Sequence, residues 1–174
     1  RPTVREAIIA LELDGLVEVR TGSGVYVTEP TQRRAAPIDH DIGAIELTEA
    51  RLLIEGEVAA AAANHISASE VAELEALLDA MATANSKGPG AGERVDEEFH
   101  RAIARASRNS ALLQVVEQLW TIRNRSPQCV RFFEKSRDKG NSPVIAEHRA
   151  IVDALARHDP HAAHRPRATA NPSS

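Results

Sequence analysis

Asp96 and His100 stand four residues apart in the run VDEEFH. On a helix that spacing puts a carboxylate and an imidazole on one face, about one turn apart, where both can ligate one metal ion. His148, in AEHRAI, falls on a different expected helix, and groups from two antiparallel helices can converge inside a bundle. Spacing alone suits an exposed polar helix face at least as well, because an i, i+4 acid–base pair needs no metal to form there.

The elements that would have to position these groups are helical. Of 174 residues, 43% are hydrophobic and 26% charged, a globular composition rather than a disordered or fibrous one. Only five residues are aromatic, whereas alanine is abundant, above all between Ile54 and Ala84, and alanine is the best helix former. Periodicity places helices near 41–65, 67–84, 93–107, 110–123, 128–138 and 143–157. Ser67 with Glu70 has the form of a capping box, and SKGPGAG, Asn109 and the stretch around 140–143 mark breaks. Short connections make this part an antiparallel bundle. A lone cysteine, Cys129, excludes an internal disulfide and fits a reducing cytoplasm, and no apolar run is long enough to span a membrane.

The opening reads differently. Val4, Ile8, Leu11 and Leu13 recur at helical spacing, Gly15 ends that helix, and LVEVRTGSGVYV alternates about a glycine turn as a β-hairpin does. The chain is expected to start inside a helix, and 30–40, with Pro30, Arg33, Arg34 and Pro37, reads as a linker. The expected domains are therefore 1–29, the linker 30–40, and 41–174. Net charge is −4, and 1–36 carries as many acidic as basic residues, so bulk charge does not announce nucleic acid.

From Pro2 to Val27, P-T-V-R-E-A-I, L-E-x-x-G-L-V and G-S-G-V-Y-V resemble the C-terminal half of the winged helix-turn-helix domain of GntR-family bacterial transcriptional regulators. The resemblance implies a recognition helix with Arg1, Thr3 and Arg5 at its DNA end and a wing with Gly24 at its tip, the wing lying on the backbone or in the minor groove. Without the two preceding helices of that domain, weak or no DNA binding by this chain is expected.

The bundle carries E-A-R-x-x-I-E at 49–55, D-E-E-F-H at 96–100, S-x-N at 107–109 and E-H-R-A-I at 147–151. These resemble the landmarks of the FCD effector domain of FadR-type GntR regulators. The resemblance implies a divalent metal, Zn2+ above Ni2+ or Mn2+, on Asp96, His100 and His148 beside an effector pocket. The family's fourth ligand, a histidine, falls at Ala170, in a tail where Pro166 and Pro172 break any long helix. The usual last helix is thus expected to be missing, with His158, His161 and His164 as substitute ligands or exposed residues. Arg51 is expected either to grip an effector carboxylate or to pair with Glu49 or Glu55; Asn109 and Arg149 are weaker pocket candidates. Trp120, Phe132 and Phe133 read as core or pocket wall.

The expected protein is a mostly α, cytoplasmic, homodimeric regulator, a partial winged helix-turn-helix joined to an effector-sensing bundle. Its partners would be operator DNA and a small organic acid, with no membrane. A metal-dependent enzyme using the same three ligands is disfavoured because no general base or nucleophile accompanies them. A non-functional remnant of a regulator is the other alternative.

Overall fold

The computed structural model describes Val4, Ile8, Leu11, Glu12 and residues 17–27 and 42–164. The chain divides into two compact units, Arg1–Ile38 and Asp39–Ser174. In the first, the four described residues before the hairpin are helical, and strands β1 (Val17–Arg20) and β2 (Gly24–Val27) pair antiparallel, with Val17 opposite Val27 and Arg20 opposite Gly24. The turn closes through Ser23 N–H donating to Arg20 O at 2.9 Å. Gly22 sits there at φ 78°, left-handed backbone that glycine adopts without strain. Arg20 lies over the Tyr26 ring and pairs with Glu18, and the Ser23 and Tyr26 hydroxyls meet at 2.8 Å. Val4 and Val27 are exposed.

The second unit is an all-α bundle of seven helices among the described residues: α1 (Ala44–Ala63), α2 (Ala68–Asn85), α3 (Glu93–Ala106), α4 (Ser110–Arg125), α5 (Pro127–Asp138), α6 (Ile145–Ala156) and α7 (Pro160–His164). The central helix is α1, which packs against α3, α4, α5, α6 and α7. Its buried Ala59, Ala62 and Ala63 let neighbours approach closely. The core joins them to Val58, Leu74, Met81, Phe99, Ile103, Val116, Trp120, Val152 and Leu155. Fully burying each larger side chain stabilises the fold by roughly 1.5–3 kcal/mol.

Local chemistry sets the boundaries. Gly43 rather than Asp41 precedes α1. The Asn109 side chain accepts from the N–H groups of Ala111 and Leu112, so the residue read as a break is the cap that starts α4. Pro127 takes the first position of α5, where its missing N–H costs nothing. A short helix of five residues, α7, follows α6, because Asp159 Oδ1 accepts from Ala162 N–H at 3.0 Å and starts a turn; the tail in which a long last helix was expected to be missing lies outside the described residues. One reading is corrected. Phe132 is 46% exposed rather than core, although Trp120 is fully buried.

The capping box at Ser67 forms as expected and does more than cap. Glu70 accepts from Ser67 N–H at 2.9 Å and also holds Arg108 through two hydrogen bonds of 2.8 Å, fastening α2 to the α3–α4 corner. The Arg108 hydrogen bonds, then those from Ser67, pull the Glu70 carboxyl down to about 2. A depressed carboxyl stabilises the fold above its ordinary value of 4.5, and that contribution is lost as pH falls toward 2. Arg108 is half exposed, so solvent screening limits the effect. Glu70→Gln should cost about 1 kcal/mol at pH 7, a fall in Tm of roughly 2–4 °C. In thermal melts the gap to the unaltered chain should close as pH drops from 5 toward 2; a gap independent of pH would refute this account.

Candidate metal centre

The polar cluster hangs from three helices. On α3, Asp96 and His100 flank the fully buried Phe99. Phe99 drives that face inward, so the two polar groups follow it to the edge of the core. On α6, His148 is 8% exposed, its ring meeting the Phe99 ring edge-on at 5.0 Å. On α1, Arg51 and Glu55 lie one turn apart and face α3. The five side chains are only 10–15% exposed.

Hydrogen bonds fix the direction of each ring. His148 Nδ1 is 2.8 Å from Val144 O, and a carbonyl can only accept, so Nδ1 donates. Nε2 then points at Asp96 Oδ1, 2.7 Å away. Two bare lone pairs do not rest at that distance; a positive species has to lie between them, and without a metal it is a proton. Burial favours neutral His148, but the hydrogen bond to Asp96 and its charge outweigh burial and raise the imidazole above its ordinary value. Burial likewise pushes Asp96 up, and the hydrogen bonds from His100 and His148 overcome it, holding the carboxyl well below the usual range. His100 places Nδ1 3.3 Å from Glu55 Oε2 and Nε2 3.5 Å from Asp96 Oδ1.

One ligand atom from each of Asp96, His100 and His148 lies within 4.8 Å of the other two. Ligating histidines generally donate their second N–H to a carbonyl or carboxylate, and Val144 O and Glu55 are in place for that. The residues present therefore fit a divalent cation bound by two imidazoles and a carboxylate, which leaves a coordination position open.

The sequence matches the FCD domain family over residues 46–166. It is 36% identical over 168 residues to the Exu regulon transcriptional regulator of Escherichia coli, covering 94% of this chain and 64% of that protein. It is 35% identical over 170 residues to the Uxu operon transcriptional regulator of the same species, covering 94% and 66%. Among solved structures it resembles a GntR protein of Streptococcus agalactiae, with a TM-score of 0.57, 27% identity, and 92% and 74% of the two chains covered. The chain belongs to the GntR family of transcriptional regulators. Its relatives are regulators, not enzymes, and it spans just under two thirds of the length of the Exu and Uxu regulators.

Within this FCD domain a cavity of about 90 Å³ opens beside the cluster, walled by Glu55, Gly56, His100, Ile151 and His164 among others. Gly56 lets α7 seat closely: a Cβ there would lie 3.0 Å from His164 O and 3.2 Å from His164 Nδ1, so any larger residue would push α7 back by a few tenths of an ångström. Of the tail histidines, His164 alone lines the cavity. His158 binds Ala63 O through Nδ1 at 2.8 Å, and His161 is exposed. Arg51 pairs with Glu55 at 3.0 Å, its guanidinium 3.8 Å above the Trp120 ring. Asn109 caps α4, and Arg149 is an exposed residue 3.7 Å from Asp79; neither lines the cavity. Gly24 lies at the first position of β2, just past the turn, and Arg1, Thr3 and Arg5 lie outside the described residues. The role of Glu55 beside His100 was not read from the sequence, although i, i+4 spacing tied it to Arg51.

Raised His148 gives the metal-free protein a pH signature. A histidine with a raised pKa stabilises the fold fully below its ordinary 6.5, and the contribution disappears as pH climbs through the raised value. With chelator present, Tm should therefore fall as pH rises from 6 to 9. Asp96→Asn removes the group that raises His148 and should remove this fall; a slope unchanged in that variant would separate His148 from Asp96.

Proposed function

We propose that this chain belongs to a cytoplasmic, homodimeric, FadR-type DNA-binding regulator whose helical domain senses a small organic acid and holds Zn2+, with Ni2+ or Mn2+ as alternatives, on Asp96, His100 and His148. The observation that carries this reading is the convergence of three ligand atoms while both Nδ1 atoms face acceptors. A water molecule or an effector carboxylate would complete the shell from the cavity side, since Ala170 stands where a fourth histidine is expected. A cavity of about 90 Å³ favours a small organic acid. Arg51 would exchange Glu55 for that acid, and Arg1, Thr3, Arg5 and the Gly24 wing would meet operator DNA in the intact protein. An effector acts by favouring one arrangement of the bundle over another, and operator half-sites fit one spacing of the paired winged helices. The proposed domains are 1–29 for the DNA-reading part, 30–40 for the linker and 41–174 for the sensor.

Metal analysis of the purified chain should find about one divalent ion per chain. Binding to the native state alone adds RT ln(1 + [L]/Kd), about 2.7 kcal/mol at a hundredfold excess over Kd. Chelation should therefore lower Tm, and the drop should vanish in His100→Ala. An unaltered chain that takes up no metal and melts identically with and without chelator would overturn the reading.

A further inference from the structure

Glu55 is shared between two groups. Its Oε1 accepts from Arg51 Nε at 3.0 Å and its Oε2 lies 3.4 Å from the second Arg51 nitrogen, while the same Oε2 is 3.3 Å from His100 Nδ1. It is not one of the converging ligands, so it stands behind His100 rather than beside the cation. Arg51 is pinned from the other side by the Trp120 ring at 3.8 Å, and that ring sits 5.8 Å from His100. Side chains 12–15% exposed interact through little water, so a change in charge at one end is weakly screened at the other.

We propose that Glu55 is a positioning residue for the metal centre, holding His100 by Nδ1–H and transmitting the state of Arg51 to it. The inference rests on the metal reading of Asp96, His100 and His148. A carboxylate that accepts from Nδ1–H orients the ring and makes Nε2 a stronger donor to a cation. While Arg51 holds Glu55, part of that carboxylate's charge is spent on the guanidinium. When an anion engages Arg51, or Arg51 is removed, the full charge turns to His100 and the cation is held more tightly. By linkage, a bound cation must favour the anion by the same factor.

The test titrates Co2+ into the full chain and follows both affinity and the visible absorption of the bound ion. Glu55→Ala should weaken Co2+ about 10–100-fold and alter its spectrum. Arg51→Ala should tighten Co2+ severalfold in the unaltered background and do nothing in Glu55→Ala, a coupling that a double-mutant cycle isolates. Glu55→Gln keeps size and an acceptor oxygen but loses the charge, so it too should make affinity indifferent to Arg51. Equal affinity in Glu55→Ala and the unaltered chain, or an Arg51 effect that persists without Glu55, overturns this inference and leaves the metal site standing. Failure of the unaltered chain to take up Co2+ overturns both.

Discussion

The bundle is organised around one demanding contact. Asp96 Oδ1 and His148 Nε2 stand 2.7 Å apart at the edge of an apolar core, with the opposite nitrogen of His148 already committed to Val144 O. Neither ring rotation nor water relieves the meeting of two electron-rich atoms there; only a positive charge does. Two helices, α3 and α6, must hold their relative heights for the contact to exist, and both are seated on α1 and α2. Helix α3 is set by Phe99 and by its seat on α1, α2 and α4, whereas α6 is set by Val152 and Leu155 against α1, α2 and α7.

Small residues make that arrangement reachable. Ala59, Ala62 and Ala63 on α1, Ala102, Ala104 and Ala106 on α3 and Ala154 on α6 are buried, so backbones approach closely while the few large side chains, Phe99 and Trp120 foremost, fill what remains. A composition with five aromatics and abundant alanine therefore yields a core of closely spaced helices rather than one propped apart by rings. Gly56 extends the rule to its limit, admitting α7 where even a methyl group would meet backbone.

What the sequence disclosed follows from the range of each signal. Asp96 and His100 were legible because they lie one turn apart on one helix, and the capping box at Ser67 and Glu70 because it spans three residues. The helix-plus-hairpin opening and the all-α bundle were legible because periodicity persists over many residues. His148 was joined to them only through the family resemblance and the general convergence of bundle helices, and its 2.7 Å hydrogen bond to Asp96, across 52 positions, has no local signal. The five-residue α7 was not read from the sequence because Pro166 and Pro172 bear on a long helix, whereas a single turn needs only Asp159 to start it. Phe132 misled because an aromatic beside Phe133 suggests burial, whereas of the two only Phe133, with the Arg123 guanidinium 4.3 Å above its ring, is even half-buried. Arg51 was ambiguous for a different reason. Pairing with Glu55 and service to a carboxylate use the same guanidinium, and the structure adds that Glu55 also touches His100.

A buried acid–base cluster is a poor way to gain stability. Removing charges from water costs several kcal/mol per ion after relaxation, and well-packed apolar residues of similar volume frequently do as well or better. The Asp96, His100, His148 and Glu55 group is therefore costly beside a core that is otherwise largely apolar. Its acids and bases nearly balance, yet the single proton between Asp96 and His148 is lost as pH rises, and the pair then has nothing to separate its lone pairs. A divalent cation, as proposed for this centre, would remove that weakness, because it would satisfy Asp96 and both imidazoles at once without depending on protonation of His148. By linkage, a cation bound to the folded chain alone would add its binding free energy to the cohesion of α1, α3 and α6.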